Sequence, residues 1–217
     1  EKFYNDKFKN EEINKIKYFS CMDKIICISE NTKKDLIDHY KLSPQLIEVV
    51  HLGVSFDKSY IKIDNKIPKK PYLLFVGERY RYKNFKNFIL AYTKSNRLKK
   101  DFDILCFGGN SFTSEEINFF KEFRISQNIK QINGSDLELN YVYKKARCFI
   151  FPSLYEGFGL PLLEAMNMDC PVICSDTSCF SEVTNNAAAM FDPNNIENII
   201  HEIEDVVYDE QKFSDLI

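Results

Sequence analysis

An α/β fold built on a doubly wound parallel sheet is predicted by three features of the sequence. Short, solidly apolar runs recur, of which Tyr72–Val76 (YLLFV), Asp103–Phe107 (DILCF) and Cys148–Phe151 (CFIF) are the clearest. Segments with apolar residues at helical spacing separate them, as at Phe85, Phe88, Ile89 and Tyr92. Glycines follow the apolar runs, at Gly77, Gly108-Gly109 and Gly134. Strands apolar on both faces belong in a parallel sheet covered by helices. Ligands of such sheets sit beyond the carboxyl ends of the strands, so these glycine-bearing loops define one crevice.

In chain order, Glu1 to Ser20 reads as a charged amphipathic helix, Lys24–Ser29 (KIICIS) as a buried strand and Thr32–Tyr40 as a helix capped by Ser29 or Asn31. Pro44 breaks the pattern, and Leu46–His51 is a second strand. Lys58–Pro71 is a polar linker without periodicity. After strand Tyr72–Val76 comes a helix over Asn84–Thr93, and after strand Asp103–Phe107 one to about Phe123, capped by Thr113 or Ser114. Ile129–Ile132 is a short strand, Gly134–Asp136 a turn and cap, and Leu137–Ala146 a helix. The strand Cys148–Phe151 leads through a glycine loop to a helix over Pro161–Met168. Strand Pro171–Cys174, helix Ser178–Thr184, a strand near Ala188–Met190 and helix Ile196–Tyr208 complete the series.

Composition narrows the function. The 217 residues are 44% hydrophobic and 28% charged, enough for one large domain or one and a half. A net charge of −3 without a basic face argues against a nucleic-acid partner. The seven cysteines form no C-x-x-C pair, and most stand in strand-like runs, as buried reduced thiols of a cytosolic protein do. Cys170, Cys174 and Cys179 lack a zinc spacing. Nothing reads as a signal peptide, and no apolar run approaches the roughly 18 residues of a membrane span. Asp101-Phe102-Asp103 opens a strand at its amino end, away from the crevice, so it is not read as a metal motif. Gly108-Gly109 is not a dinucleotide fingerprint. His39, His51 and His201 have no nucleophile motif beside them.

The most informative stretch is Phe151–Glu164, FPSLYEGFGLPLLE. Gly157 and Gly159 let backbone approach a ligand, and Pro161 suits the first helical position. The amides of Gly159 and Leu160 at a helix start make an anion site. Glu156 and Glu164, on the loop and in the first helical turn with seven residues between them, suit hydroxyl groups better than phosphate. A phosphate cradle framed by two carboxylates fits a nucleotide-sugar.

At these residues the chain resembles the retaining glycosyltransferases of family 4, whose pattern is E-x7-E within PSxxEGFGLPxLEAM. Ser29–Leu36 and Ile47–Asp57 are similar to the junction between the two domains of that GT-B family, with Leu52 where Asn is common. The resemblance runs from about Lys24 to Asp192. It implies that residues 1–45 are a remnant of the N-terminal acceptor domain. Residues 46–217 would be the Rossmann-like C-terminal donor-binding domain, lacking its last helix.

The resemblance also assigns roles. Glu156 would hold hydroxyls of the donor sugar and Glu164 those of the ribose. In the loop GERYRYKN after Gly77, Arg79 and Lys83 would grip the diphosphate, with Arg81 as the alternative to Arg79. Gly134 and Ser135 would offer backbone to the nucleobase, and Gly157, Phe158, Gly159 and Leu160 would cradle phosphate. Glu182 matches a recurrent glutamate read as structural. Asp169 stands where a small residue is usual. The implied protein is a hexosyltransferase that retains anomeric configuration and needs neither metal nor cofactor. Its donor is a nucleotide-diphosphate sugar and its acceptor a saccharide or lipid-linked saccharide. The implied role is bacterial surface polysaccharide or lipopolysaccharide synthesis. It would be cytoplasmic, with the missing domain as the route to a peripheral seat on the inner membrane face. A nucleotide-sugar-binding module without activity, or another GT-B enzyme such as a phosphorylase or epimerase, is the alternative.

Overall fold

The computed structural model describes Lys15, Tyr18, Phe19, residues 21–54 and residues 57–217. Apart from those first three residues, the helix expected over Glu1–Ser20 lies outside the described residues. Strands and helices then alternate. First come β1 (Ile25–Cys27), α1 (Glu30–Tyr40), β2 (Ile47–Val49), β3 (Tyr72–Val76), α2 (Phe85–Lys94), α3 (Asn96–Asp101), β4 (Asp103–Phe107), α4 (Ser114–Glu122) and β5 (Ile129–Ile132). After these follow α5 (Asp136–Lys145), β6 (Cys148–Phe151), α6 (Leu160–Asn167), β7 (Val172–Ser175), α7 (Phe180–Thr184), β8 (Ala189–Phe191), α8 (Ile196–Tyr208) and α9 (Glu210–Asp215).

The main sheet has six strands in the order β5-β4-β3-β6-β7-β8, with every pairing parallel. The chain builds outward from β3 to β5, then returns to the other side of β3. The switch point therefore lies between β3 and β6, the place where ligands of such sheets sit. Successive side chains alternate across the sheet. Leu73 and Phe75 pack with Phe88, Tyr92, Ile199 and Ile203 of α2 and α8 on one face. Tyr72 and Leu74 pack with Tyr143, Leu162 and Phe180 of α5, α6 and α7 on the other. The buried Tyr72 and Tyr92 hydroxyls each donate to a backbone oxygen at 2.8 Å, of Val142 and Phe102 respectively.

Helix starts follow local chemistry. Thr113 with Glu116, and Ser135 with Glu138, form reciprocal capping boxes, and Ser29 caps α1. Two helices escaped the sequence reading. α3 buries only Leu98 and α9 buries nothing, so neither shows an apolar face. The segment 58–71 has no regular structure, but it is no free linker. Ile63 is buried against α5, Ile61 N donates to Leu137 O, and Lys66 reaches Glu138.

β1 and β2 pair in parallel as a separate two-stranded sheet joined through α1. The strand at 47–49, expected to open the second unit, is thus bonded to the first.

Candidate functional site

The loops after β3 and β6 meet at the switch point. Gly77 leaves β3 at φ +100°, a conformation that favours glycine, and its amide donates to Phe107 O. A single 3₁₀ turn over Arg81–Lys83 follows, and Asn84 ends it at φ 53°. Asn tolerates this left-handed backbone better than most residues. Its side chain is held by Pro193 O at 2.9 Å. Lys83 is thereby aimed at the β6 loop, where its Nζ lies 2.7 Å from Glu156 Oε1. The two side chains are only 18% and 17% exposed. The loops are joined again by Leu154 N, which donates to Tyr82 O at 2.7 Å.

The glycine loop is tied down through its carbonyl groups. Glu156 O accepts from Ser178 Oγ at 2.6 Å and from Cys179 Sγ at 3.4 Å. Gly157 O accepts from Ser29 Oγ at 2.8 Å and Thr32 Oγ1 at 3.2 Å. Phe158 O accepts from Cys179 Sγ at 3.1 Å. A trans peptide points its N–H opposite to its carbonyl. The amides of Gly157, Phe158 and Gly159 therefore face away from these donors, and no described acceptor takes them. Gly159, at φ 97°, is the N-cap of α6, and a Cβ there would lie 3.1 Å from Leu162 Cδ1. The helix begins at Leu160, one residue before Pro161. Glu164 accordingly lies in the second turn and not the first, so the helix dipole does not account for it. Tyr143 OH donates to Glu164 Oε2 at 3.2 Å. Burial raises the Glu164 carboxyl above its ordinary range, against the lowering effect of that bond.

Other expected residues are differently placed. Arg79 is not an open loop cation. Its side chain is 5% exposed, and its Nε lies 2.9 Å from Glu116 Oε1. Its Nη2 donates to Asn110 O, and its guanidinium stacks 4.7 Å from the Phe112 ring centre. Only Nη1 lacks a protein acceptor. Arg81 is exposed at φ 49°. Gly134 and Ser135 lie at the end of β5, where the Ser135 amide and hydroxyl serve the capping box. Glu182 accepts the amides of Glu30 and Asn31 at 2.7 and 3.4 Å, and lies 2.6 Å from His51 Nε2. Burial alone would raise its carboxyl, but these donors outweigh it and hold it below the usual range. Asp101 accepts from Tyr208 OH at 2.9 Å at the amino end of β4. A cavity of about 450 Å³ opens at the ends of β7 and β8, lined by Asp176, Thr177 and Asp192–Asn194 among others. None of the residues singled out in the sequence lines it.

Sequence reasoning missed Tyr143, Ser178, Cys179 and Thr32 as parts of this site. Their contacts span at least 21 positions, beyond the reach of any local pattern.

At the switch point of a doubly wound sheet, the structure thus brings together a lysine, a carboxylate and loop amides that no described acceptor takes. The chain belongs to the group 1 glycosyl transferases, whose family profile matches residues 57–217. It is similar to the O-antigen chain mannosyltransferase B of Escherichia coli, 48% identical over 64 residues, which are 30% of this chain and 17% of that one. It is also similar to the O-antigen chain mannosyltransferase RfbU of Salmonella typhimurium, 28% identical over 173 residues, 78% of this chain and 46% of that one. The chain thus spans less than half the length of these curated relatives. A glycosyltransferase structure from Rickettsia africae superposes with a TM-score of 0.76 at 21% identity, covering 94% of this chain and 57% of that one, a likeness of fold. No helix among the described residues is long and apolar enough to cross a membrane.

Proposed function

We propose that this chain binds the nucleotide-diphosphate-sugar donor of a glycosyltransferase that moves a hexose onto a saccharide or lipid-linked saccharide in bacterial surface polysaccharide synthesis. The observation that carries this reading is the Lys83–Glu156 pair beside the unpartnered amides of Gly157–Gly159. A donor entering the crevice exchanges partners with the pair. Its diphosphate takes Lys83 and the amides, and its sugar hydroxyls take Glu156. Glu164 accepts ribose hydroxyls. The nucleobase lies by the backbone of Gly134 and Ser135.

Bond breaking at the anomeric carbon builds charge on the leaving diphosphate. Preorganised donors aimed at such charge are worth about 3–4 kcal/mol each to the barrier. Lys83 and the cradle amides supply them without a metal. Arg79 adds a second cation only after releasing Glu116. Configuration is retained by attack on the face the diphosphate leaves, assisted by that phosphate. The names of the two bacterial relatives make a mannose donor the first to test. A cytoplasmic site, at or near the inner membrane face, follows from the same reading.

The deciding experiment is calorimetric titration of the chain with UDP, GDP and dTDP, with and without magnesium. Metal-independent binding of one of them, weakened by Lys83→Ala, is expected. Binding that requires magnesium, or that ignores Lys83, refutes the proposed diphosphate site.

A further inference from the structure

The start of α1 lies 128 residues before Gly157 in sequence and touches it directly. Three contacts are involved. Ser29 Oγ and Thr32 Oγ1 reach the Gly157 carbonyl oxygen at 2.8 and 3.2 Å, and they lie 2.9 Å from each other. Each hydroxyl has one hydrogen, so two hydrogens serve three contacts. Ser29 Oγ also accepts the Thr32 amide at 3.0 Å, as the cap of α1. Ser29 is fully buried, so its hydrogen has no water to turn to. Glu182 grips the same helix start from another side through the amides of Glu30 and Asn31. Ile28 packs close by, with its Cδ1 3.7 Å from where a Cβ on Gly157 would stand.

This docking has a consequence for the cradle. The carbonyl of Gly157 and the N–H of Phe158 belong to one planar peptide and point in opposite directions. Drawing the oxygen onto Ser29 and Thr32 turns the Phe158 N–H away from those hydroxyls, to a side where no described acceptor takes it. Without the hydroxyls that peptide is free to rotate, because Gly157 lacks the Cβ that would restrict it. We propose that Ser29 and Thr32 are positioning residues for the anion cradle. From outside the six-stranded sheet, they fix the peptide whose amide meets a phosphate oxygen. The inference rests on the diphosphate reading of this loop.

The test is a titration of the full chain with a nucleoside diphosphate that it binds and, separately, with the matching nucleoside. Ser29→Gly removes the hydroxyl while leaving a residue that caps helices nearly as well. Thr32→Val removes the other hydroxyl and keeps the side-chain shape. Ser29→Thr keeps both donor and cap. Ser29→Gly and Thr32→Val are each expected to weaken diphosphate binding about three- to tenfold, the worth of a hydrogen bond. Nucleoside binding should be unchanged, and Ser29→Thr should behave as the parent chain. A general loosening of the fold would weaken both ligands alike, and that result overturns the proposal. If Lys83→Ala weakens diphosphate binding while Ser29→Gly and Thr32→Val do not, the diphosphate site stands and the positioning role falls. No diphosphate binding by the parent chain overturns both. Should Ser29→Gly fail to fold, Thr32→Val decides alone.

Discussion

Separating Lys83 from Glu156 should perturb stability and ligand binding in different ways. At 2.7 Å the gross attraction is about 6 kcal/mol at an effective dielectric of roughly 20. Desolvation offsets most of it, and exposed pairs are worth about 0.2–1 kcal/mol, whereas removing one partner of a buried pair costs about 3–5 kcal/mol. With exposures of 18% and 17% this pair lies between those limits. Lys83→Ala and Glu156→Gln are each expected to lower unfolding free energy by about 1–3 kcal/mol. The double variant should lose little more than either single one, a coupling of about 1–2 kcal/mol. Urea unfolding of the four proteins measures this. Calorimetry then distinguishes the two roles. Lys83→Ala should weaken a nucleoside diphosphate about tenfold or more, since a charge-assisted bond is lost. Glu156→Gln should bind the nucleoside diphosphate at least as well as the parent, because Lys83 no longer has a competing anion. The same variant should bind the complete nucleotide-sugar less well. Additive stability losses would refute the pair, and a Glu156→Gln variant that loses diphosphate affinity would refute the exchange of partners.

Gly159→Ala should destabilise by about 1–2 kcal/mol, from its left-handed backbone and the 3.1 Å approach to Leu162, while Gly157→Ala, with only ordinary contacts, should change stability little by thermal melting. The raised Glu164 carboxyl means that the folded state holds its proton more tightly than the unfolded chain does. Its contribution to stability is therefore greatest below the ordinary carboxylate range and is lost as pH rises through the folded value. Glu164→Gln should thus be more stable than the parent at neutral pH, with the difference vanishing in acid, and should bind the nucleotide more weakly; equal melting curves at pH 7 would contradict this. Asp169 sits at φ 56°, and its bond to Lys58 is between half-exposed groups, so Asp169→Gly should stabilise by up to about 1 kcal/mol in urea unfolding.

How much of this was legible in the sequence depended on range. β3, β4, β6 and β7 are apolar runs, and hydroxyl side chains at Thr113 and Ser135 stand just before helical segments, so local rules located them. The glycine loop was legible because Gly159 and Pro161 stand at a helix start. The start itself was misplaced by one residue, which moved Glu164 into the wrong turn. Lys83 and Glu156 were each chosen as site residues, yet their contact spans 73 positions and exists only because β3 lies beside β6. Arg79 shows the opposite failure. Its commitment to Glu116 spans 37 positions, and no rule within GERYRYKN says which of three cations will turn inward.

The charges of the crevice bear on how a donor binds. Lys83 is held by Glu156, Arg79 by Glu116, and Glu182 by His51 and two amides. With a chain charge of −3, attraction for an anion is therefore short-ranged. Among the described residues, the groups there without acceptors are backbone: the amides of Gly157, Phe158 and Gly159. A bare nucleoside diphosphate can take these and Lys83, but it leaves Glu156 half-buried without its cation, which is unfavourable. On the proposed reading, a donor sugar would remove that penalty by offering hydroxyls to the freed carboxylate. The two halves of the ligand would then support each other, and the nucleotide-sugar would be favoured over the nucleotide left behind after transfer. Selectivity for a charged donor over its charged product would thus reside in one ion pair that opens only when both of its members are given new partners.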